Sequence, residues 1–130
     1  MEVIKTDILI LGSGGAGLFA ALRAYDSNPR LKITMATKGL IGKCGCSRMV
    51  QGGLNVVLNE KDSLDKHFKD TLKGGGFINN QELAWTLVSE APKTVHELEV
   101  KVGCFFDRAE NGEIHQKPFA GQSFDRTVHV

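Results

Sequence analysis

The sequence predicts an α/β fold that opens with a βαβ unit on a parallel sheet and continues into helices and a β-hairpin. Three observations predict it. The apolar run Thr6–Leu11 is ended by glycines, a helical period follows from Ala16, and Leu31–Thr37 is rich in strand-forming residues.

Taken in order, Thr6–Leu11 has the unbroken apolar character of a strand buried on both faces of a parallel sheet. Ala16 to Ser27 carries Leu18, Phe19, Ala21, Leu22 and Tyr25 at helical spacing, and Asn28-Pro29 closes it because a residue before proline avoids the α region. Leu31–Thr37 then alternates apolar and polar side chains as a second strand. From Lys38 to Gly53 the chain is glycine-rich without a clean period, the pattern of a functional loop.

Leu54–Leu58 is apolar and fits a short strand or a helix. Ser63–Lys73 predicts a helix capped by Ser63, with Leu64, His67, Phe68 and Leu72 on one face and Gly74-Gly75-Gly76 ending it. Asn80–Glu90 predicts another, with Leu83, Ala84, Leu87 and Val88 on one side. Pro92 suits the first turn of a separate helix reaching about Val100, with Val95 and Leu98 inward. Phe105–Asp107 and Glu113–His115, joined through Asn111-Gly112, read as the hairpin. Asp125–Val130 stops amid strand-like sequence, so the chain reads as truncated within a larger fold.

The 130 residues suffice for one domain that buries roughly two-thirds of its unfolded surface. Sixteen basic residues against fifteen acidic ones, without a Lys/Arg cluster, offer no electrostatic footprint for nucleic acid. The longest strongly apolar run, Ile8–Leu11, is too short to span a bilayer, and the start of the chain lacks the apolar core of a secretory signal, so a cytoplasmic address is expected. Cys44, Cys46 and Cys104 fit reduced thiols better than a disulfide framework; Cys44-Gly45-Cys46 has no second ligand pair near it, and no metal site is expected.

The sharpest signal is Gly12-Ser13-Gly14-Gly15-Ala16-Gly17, a G-x-G-x-x-G run set between a strand and a helix, as in Rossmann-like dinucleotide sites. Its first glycine permits a tight turn, the second lets the backbone approach a pyrophosphate, and the third lets helix and strand approach closely. Amides at the helix start then face the negative charge. No Asp or Glu occurs from Leu31 to Leu58, so the acid that clamps the ribose in NAD sites is missing. Lys38 either faces ribose or phosphate, or is a solvated loop cation.

The residues Asp7–Leu18, then Thr37-Lys38, then Gln51-Gly52-Gly53-Leu54-Asn55 together resemble the fingerprint of the succinate dehydrogenase and fumarate reductase flavoprotein subunits, within the FAD-dependent oxidoreductase 2 family. The resemblance continues through His67–Gly74, an H-x-x-D-T-x-K-G run, through Ala91-Pro92 with Glu97-Leu98-Glu99, and through Phe105–Asp107, Gly112–Gln116 and Phe119–Ser123. It implies that residues 1–130 form the amino-terminal part of an FAD-binding domain, with capping and carboxy-terminal domains outside this chain.

By the same resemblance, Gly12, Ser13, Gly14, Gly15, Ala16 and Gly17 hold the FAD pyrophosphate. Thr37, Lys38 and Gly39 lie by the adenosine half, and Ser47, Gln51, Gly52 and Gly53 line the isoalloxazine. Gln51 and Gly52 also approach the dicarboxylate; Phe119 either packs beside that substrate or is an ordinary core aromatic. Many members attach FAD through a histidine five positions before the glutamine of Q-G-G, where this chain has Cys46, so noncovalent FAD is expected.

The implied reaction moves a hydride between succinate or fumarate and the flavin, with succinate and fumarate as substrates. The implied electron partner is an iron-sulfur subunit. A membrane anchor in the complex would place the protein at the cytoplasmic face of the membrane. No catalytic acid or base is implied within this chain. The rival readings are an L-aspartate oxidase-like flavoenzyme, a nucleotide-binding or structural fragment without turnover, and an NAD-binding regulatory module, which the missing acid after the second strand disfavours.

Overall fold

A computed structural model describes residues 3–130. The chain divides into two compact units, Met1–Gln51 and Gly52–Val130.

The first unit is the expected βαβ arrangement. Strand β1 (Ile8–Leu11) pairs in parallel with β2 (Ile33–Ala36), in the register Ile8 to Ile33 through Leu11 to Ala36. Helix α1 (Gly15–Ser27) connects them and ends at Asn28, whose amide still donates to the Ala24 carbonyl. Asp7 fixes the start of the pair, its carboxylate accepting from the Lys32 amide at 2.7 Å while its own amide donates to the Lys32 carbonyl at 2.9 Å.

One expectation for this unit fails. Strand β1 is not buried on both faces: Leu9 is 57% and Leu11 80% exposed, whereas Ile8 and Ile10 are half-buried. Side chains alternate across a strand. Helix α1 covers the Ile10 face, as shown by the methyl of Ile10 lying 3.4 Å from where a Gly17 Cβ would sit. Among the described residues, no layer of this unit covers the opposite face of the two-stranded sheet.

The second unit is built on helices α2 (Leu64–Gly74) and α3 (Gln81–Glu97). Ser63 caps α2 as expected, its hydroxyl accepting from the Lys66 amide. At the far end, the Phe77 amide reaches back to the Leu72 carbonyl and the Gly76 amide to that of Lys73, with Gly76 left-handed at φ 62°. This doubly bonded terminus satisfies carbonyls that the helix leaves orphaned. Phe68 of α2 meets Trp85 of α3 edge-to-face at 5.4 Å.

Pro92 does not start a new helix. Helix α3 runs through it to Glu97 and continues as a π-helical turn, Leu98–Val102, which Gly103 ends with φ 78°. Proline denies one carbonyl its donor. The helix stays continuous because Ala84, Val88 and Val95, which flank Pro92 on both sides, are all buried and hold the axis across the gap. Leu83 and Leu87, expected on the same face, are exposed instead.

Leu54–Leu58 resolves into a two-residue strand, β3 (Leu54–Asn55), paired antiparallel with β4 (Thr127–Val128). Strand β4 has a neighbour on its other side through the Lys117–Thr127 bridge. The hairpin expected around Asn111-Gly112 forms as a narrow antiparallel turn with one bridge, Arg108 to Ile114, and Gly112 takes φ 85°. Val56, Val95, Phe106 and Val128 make the core of this unit, with Ala91, Leu98, Cys104 and Ile114 against it.

Candidate functional site: a glycine cradle and a buried arginine

The cradle follows from backbone geometry in the first unit. Gly12, at φ 106°, turns the chain out of β1 while its amide still donates to the Ala36 carbonyl at 2.8 Å. Only glycine adopts that backbone without strain. Gly17 lies so close to the turn that a Cβ there would stand 2.3 Å from the Gly12 carbonyl oxygen. The glycine spacing therefore lets α1 begin directly against the end of β1.

The N-cap, Gly14, makes no side-chain cap bond, and among the described residues the first turn of α1 contains no acidic side chain. Its positive dipole end is left for an anion. The Gly15 amide donates to the Ser47 hydroxyl at 2.9 Å, and the buried Ser13 hydroxyl accepts from the Gly42 amide at 3.2 Å. The segment from Gly42 to Ser47 thus folds back onto the cradle, and Ser47 offers an oxygen where a phosphate oxygen can also bind.

The remaining expected residues of this unit flank the loop. Thr37 donates its hydroxyl to the Gly39 carbonyl, and Lys38 is exposed. Cys46 is exposed and opens the short 3-10 turn Cys46–Arg48 that carries Ser47; the preceding Gly45 approaches the cradle, a Cβ on it lying 4.0 Å from the Gly14 Cα. Gln51 is exposed.

In the second unit the structure brings Gly52 and Phe119 together. A Cβ on Gly52 would meet the Phe119 ring at 3.5 Å, and Phe119 is 55% exposed within this chain. Gly53 has φ 109°, and a Cβ there would fall 2.2 Å from the Val128 carbonyl oxygen. Glycine is required where β4 passes this closely.

Sequence reasoning missed the centre of this unit. Arg126 is fully buried, with Nε and Nη2 donating to Asp62 at 2.6 and 2.9 Å and Nη1 to Asp70 at 2.5 Å. Asp70 also accepts from the amide and hydroxyl of Ser123 at 2.9 and 2.7 Å. Burial pushes the Asp70 carboxyl up, but the Ser123 and Arg126 donors outweigh it and hold its pKa at about 2. The available signal was an H-x-x-D helix followed by a distant arginine, which spacing alone does not join.

His67 is buried beside this cluster with Nδ1 unpartnered. Burial lowers its pKa, Arg126 lowers it further, and Asp62 and Asp70 oppose the shift. His67, Asp70, Gln122 and Arg126 border a cleft of about 650 Å³ with Leu87 and Thr94 on its α3 side. Among the described residues no cluster of three or more metal-ligating side chains occurs, and no helix is long and apolar enough to cross a membrane.

The family described as FAD binding domain matches residues 7–130, the stretch that holds both the cradle and the buried arginine. The chain belongs to that family. An uncharacterized FAD-dependent oxidoreductase of Methanocaldococcus jannaschii is 54% identical over 97% of this FAD-binding chain and 22% of its own length. One component of the CoM/CoB fumarate reductase of Methanothermobacter marburgensis is 44% identical over 98% of the chain and 23% of its own.

Among solved structures, the Mycobacterium smegmatis Sdh1 complex in its apo form superposes with TM-score 0.88 at 40% identity, covering 96% of this chain and 21% of that one. A FrdA variant of E. coli quinol fumarate reductase superposes with TM-score 0.91 at 32% identity, covering 98% and 22%. The chain is therefore an FAD binding domain similar to these proteins, and it spans about a fifth of the length of the relatives it matches.

The residues present fit FAD. Gly17 leaves no room for a side chain between helix and strand, and the first turn of α1 holds no acid to compete with a diphosphate.

Proposed function

We propose that the whole protein is a fumarate-reducing flavoenzyme of the succinate dehydrogenase and fumarate reductase type, and that this chain supplies its FAD seat. The observation that carries the reading is the cradle, where the absence of a side chain at Gly17 lets α1 begin against the Gly12 carbonyl with no carboxylate in its first turn. In this reading the Gly12–Gly17 turn holds the diphosphate, and Thr37, Lys38 and Gly39 lie by the adenosine half. Ser47, Gln51, Gly52 and Gly53 line the isoalloxazine.

Bound FAD supplies the hydride carrier: fumarate takes a hydride on one alkene carbon and a proton on the other, giving succinate. Gln51 and Gly52 approach the dicarboxylate, and Phe119, exposed beside Gly52, shields it from water. The proton donor lies outside this chain. Cys46 stands where many relatives of this type carry the attachment histidine, so FAD is held noncovalently. An iron-sulfur subunit delivers the electrons, and such partners set whether the protein works free in the cytoplasm or at the membrane face.

The test is the full-length protein purified with FAD supplied. The expected result is a flavin spectrum whose chromophore is released by acid precipitation, together with fumarate-dependent oxidation of a reduced dye. A colourless protein overturns the FAD seat. Flavin that stays with the precipitate overturns noncovalent binding, and a yellow protein that oxidises aspartate but leaves fumarate untouched overturns the substrate.

A further inference from the structure

The turn that carries Phe119 is tied to helix α2 by one carboxylate oxygen. Oδ2 of Asp70 accepts from the Ser123 amide at 2.9 Å, from the Ser123 hydroxyl at 2.7 Å and from Nη1 of Arg126 at 2.5 Å. Nη2 of Arg126 also lies 3.4 Å from the Ser123 hydroxyl. The same arginine governs the turn through its backbone, since its amide donates to Oε1 of Gln122 at 3.3 Å and its carbonyl accepts from Val56 at 3.0 Å. Gln122 in turn donates to Asn55 at 2.7 Å and to the Thr127 hydroxyl at 2.9 Å, and its amide bonds the Phe119 carbonyl at 3.3 Å.

We infer that Asp70, Ser123 and Arg126 form a positioning clamp that fixes the 119–123 turn against Gly52 and so sets the wall facing the dicarboxylate. The inference rests on the function proposed above. None of the three is a catalytic residue; each acts through Phe119 and the strand that follows Gly52. Arg126 is fully buried and fixed at both ends, so the part of the clamp that can be released without stranding a buried charge is Ser123, which is exposed.

The discriminating variant is Ser123→Ala in the full-length flavoprotein. Two measurements are made: steady-state kinetics with fumarate, and amide hydrogen exchange over residues 119–123. The clamp predicts flavin content per chain and kcat close to those of the unmodified protein, KM for fumarate raised by about fivefold, and exchange faster by about tenfold. Ser123→Thr, which keeps the hydroxyl, restores both. Unchanged exchange overturns the clamp, and faster exchange with unchanged KM overturns its link to the substrate. If the unmodified protein turns over no dicarboxylate, the proposed function fails, and exchange alone then decides whether Asp70 restrains the turn.

Discussion

Arg126 grips Asp62 with two parallel bonds, Nε to Oδ2 at 2.6 Å and Nη2 to Oδ1 at 2.9 Å, in a place sealed from water at both side chains. The fork ties the segment just before α2 to the residue preceding β4. A guanidinium fits a carboxylate in this way because its geometry is planar and fixed.

Removing the arginine strands two acids. Arg126→Ala is expected to destabilise the chain by about 3–5 kcal/mol, because a buried ion pair that loses one partner leaves uncompensated charge. Arg126→Lys keeps the charge but loses the fork, and should fall between the alanine variant and the parent. Urea denaturation followed by circular dichroism checks both.

Gly17→Ala forces a methyl toward the Gly12 carbonyl, at 2.3 Å before any relaxation. The start of α1 must move away from β1, and the amides lose their common direction. FAD affinity is expected to fall by about a hundredfold, within the span that buried, pre-aligned hydrogen bonds to an anion contribute. Fluorescence titration with FAD measures it.

Gly53→Ala faces both a left-handed backbone at φ 109° and the Val128 carbonyl at 2.2 Å. Strain and overpacking of this kind cost about 1–3 kcal/mol each. Thermal unfolding should show the loss. Gly112→Ala shares the positive φ but meets nothing within 4 Å, so it is expected to cost less.

Acid should weaken the second unit in two stages. His67 has a lowered pKa, so the unfolded chain takes up a proton before the folded one; its contribution is complete above pH 6.5 and is lost as pH falls below that value. Asp70, held at about 2 against an ordinary 3.8, contributes fully above pH 3.8 and loses that contribution as pH falls toward 2. Denaturation midpoints measured against pH should show the first decline, and His67→Gln should remove it.

The βαβ unit was legible because its signals are local. A strand, a glycine turn and a helix follow one another without a gap, and α1 begins at Gly15, one residue before the expected Ala16. Capping by Ser63 and the stop at Gly74–Gly76 were readable for the same reason. Pro92 misled because a local rule against proline in helices was overridden by burial of Ala84, Val88 and Val95 along one face.

Arg126 was hidden more deeply. Nothing local in Asp125-Arg126-Thr127 marks the arginine as buried, and only the fold brings Asp62 and Asp70 to it across 64 and 56 residues. In the cradle, the glycine spacing was legible, whereas the bond from Gly15 to Ser47 spans 32 residues that no period connects. The strand β1 had the composition of a doubly covered element, but composition does not state how many layers are present to cover it.

The pairing of β3 with β4 joins Asn55 to Thr127, whose side chains bond across 72 positions. Closing so long a loop carries an entropic cost before any of its contacts form. On a ribosome, then, helices α2 and α3 emerge with their mutual face ready while Val56 waits for Val128. A nascent chain caught between those two moments would show helix without a core, and it is during that interval that a chaperone would find most to hold.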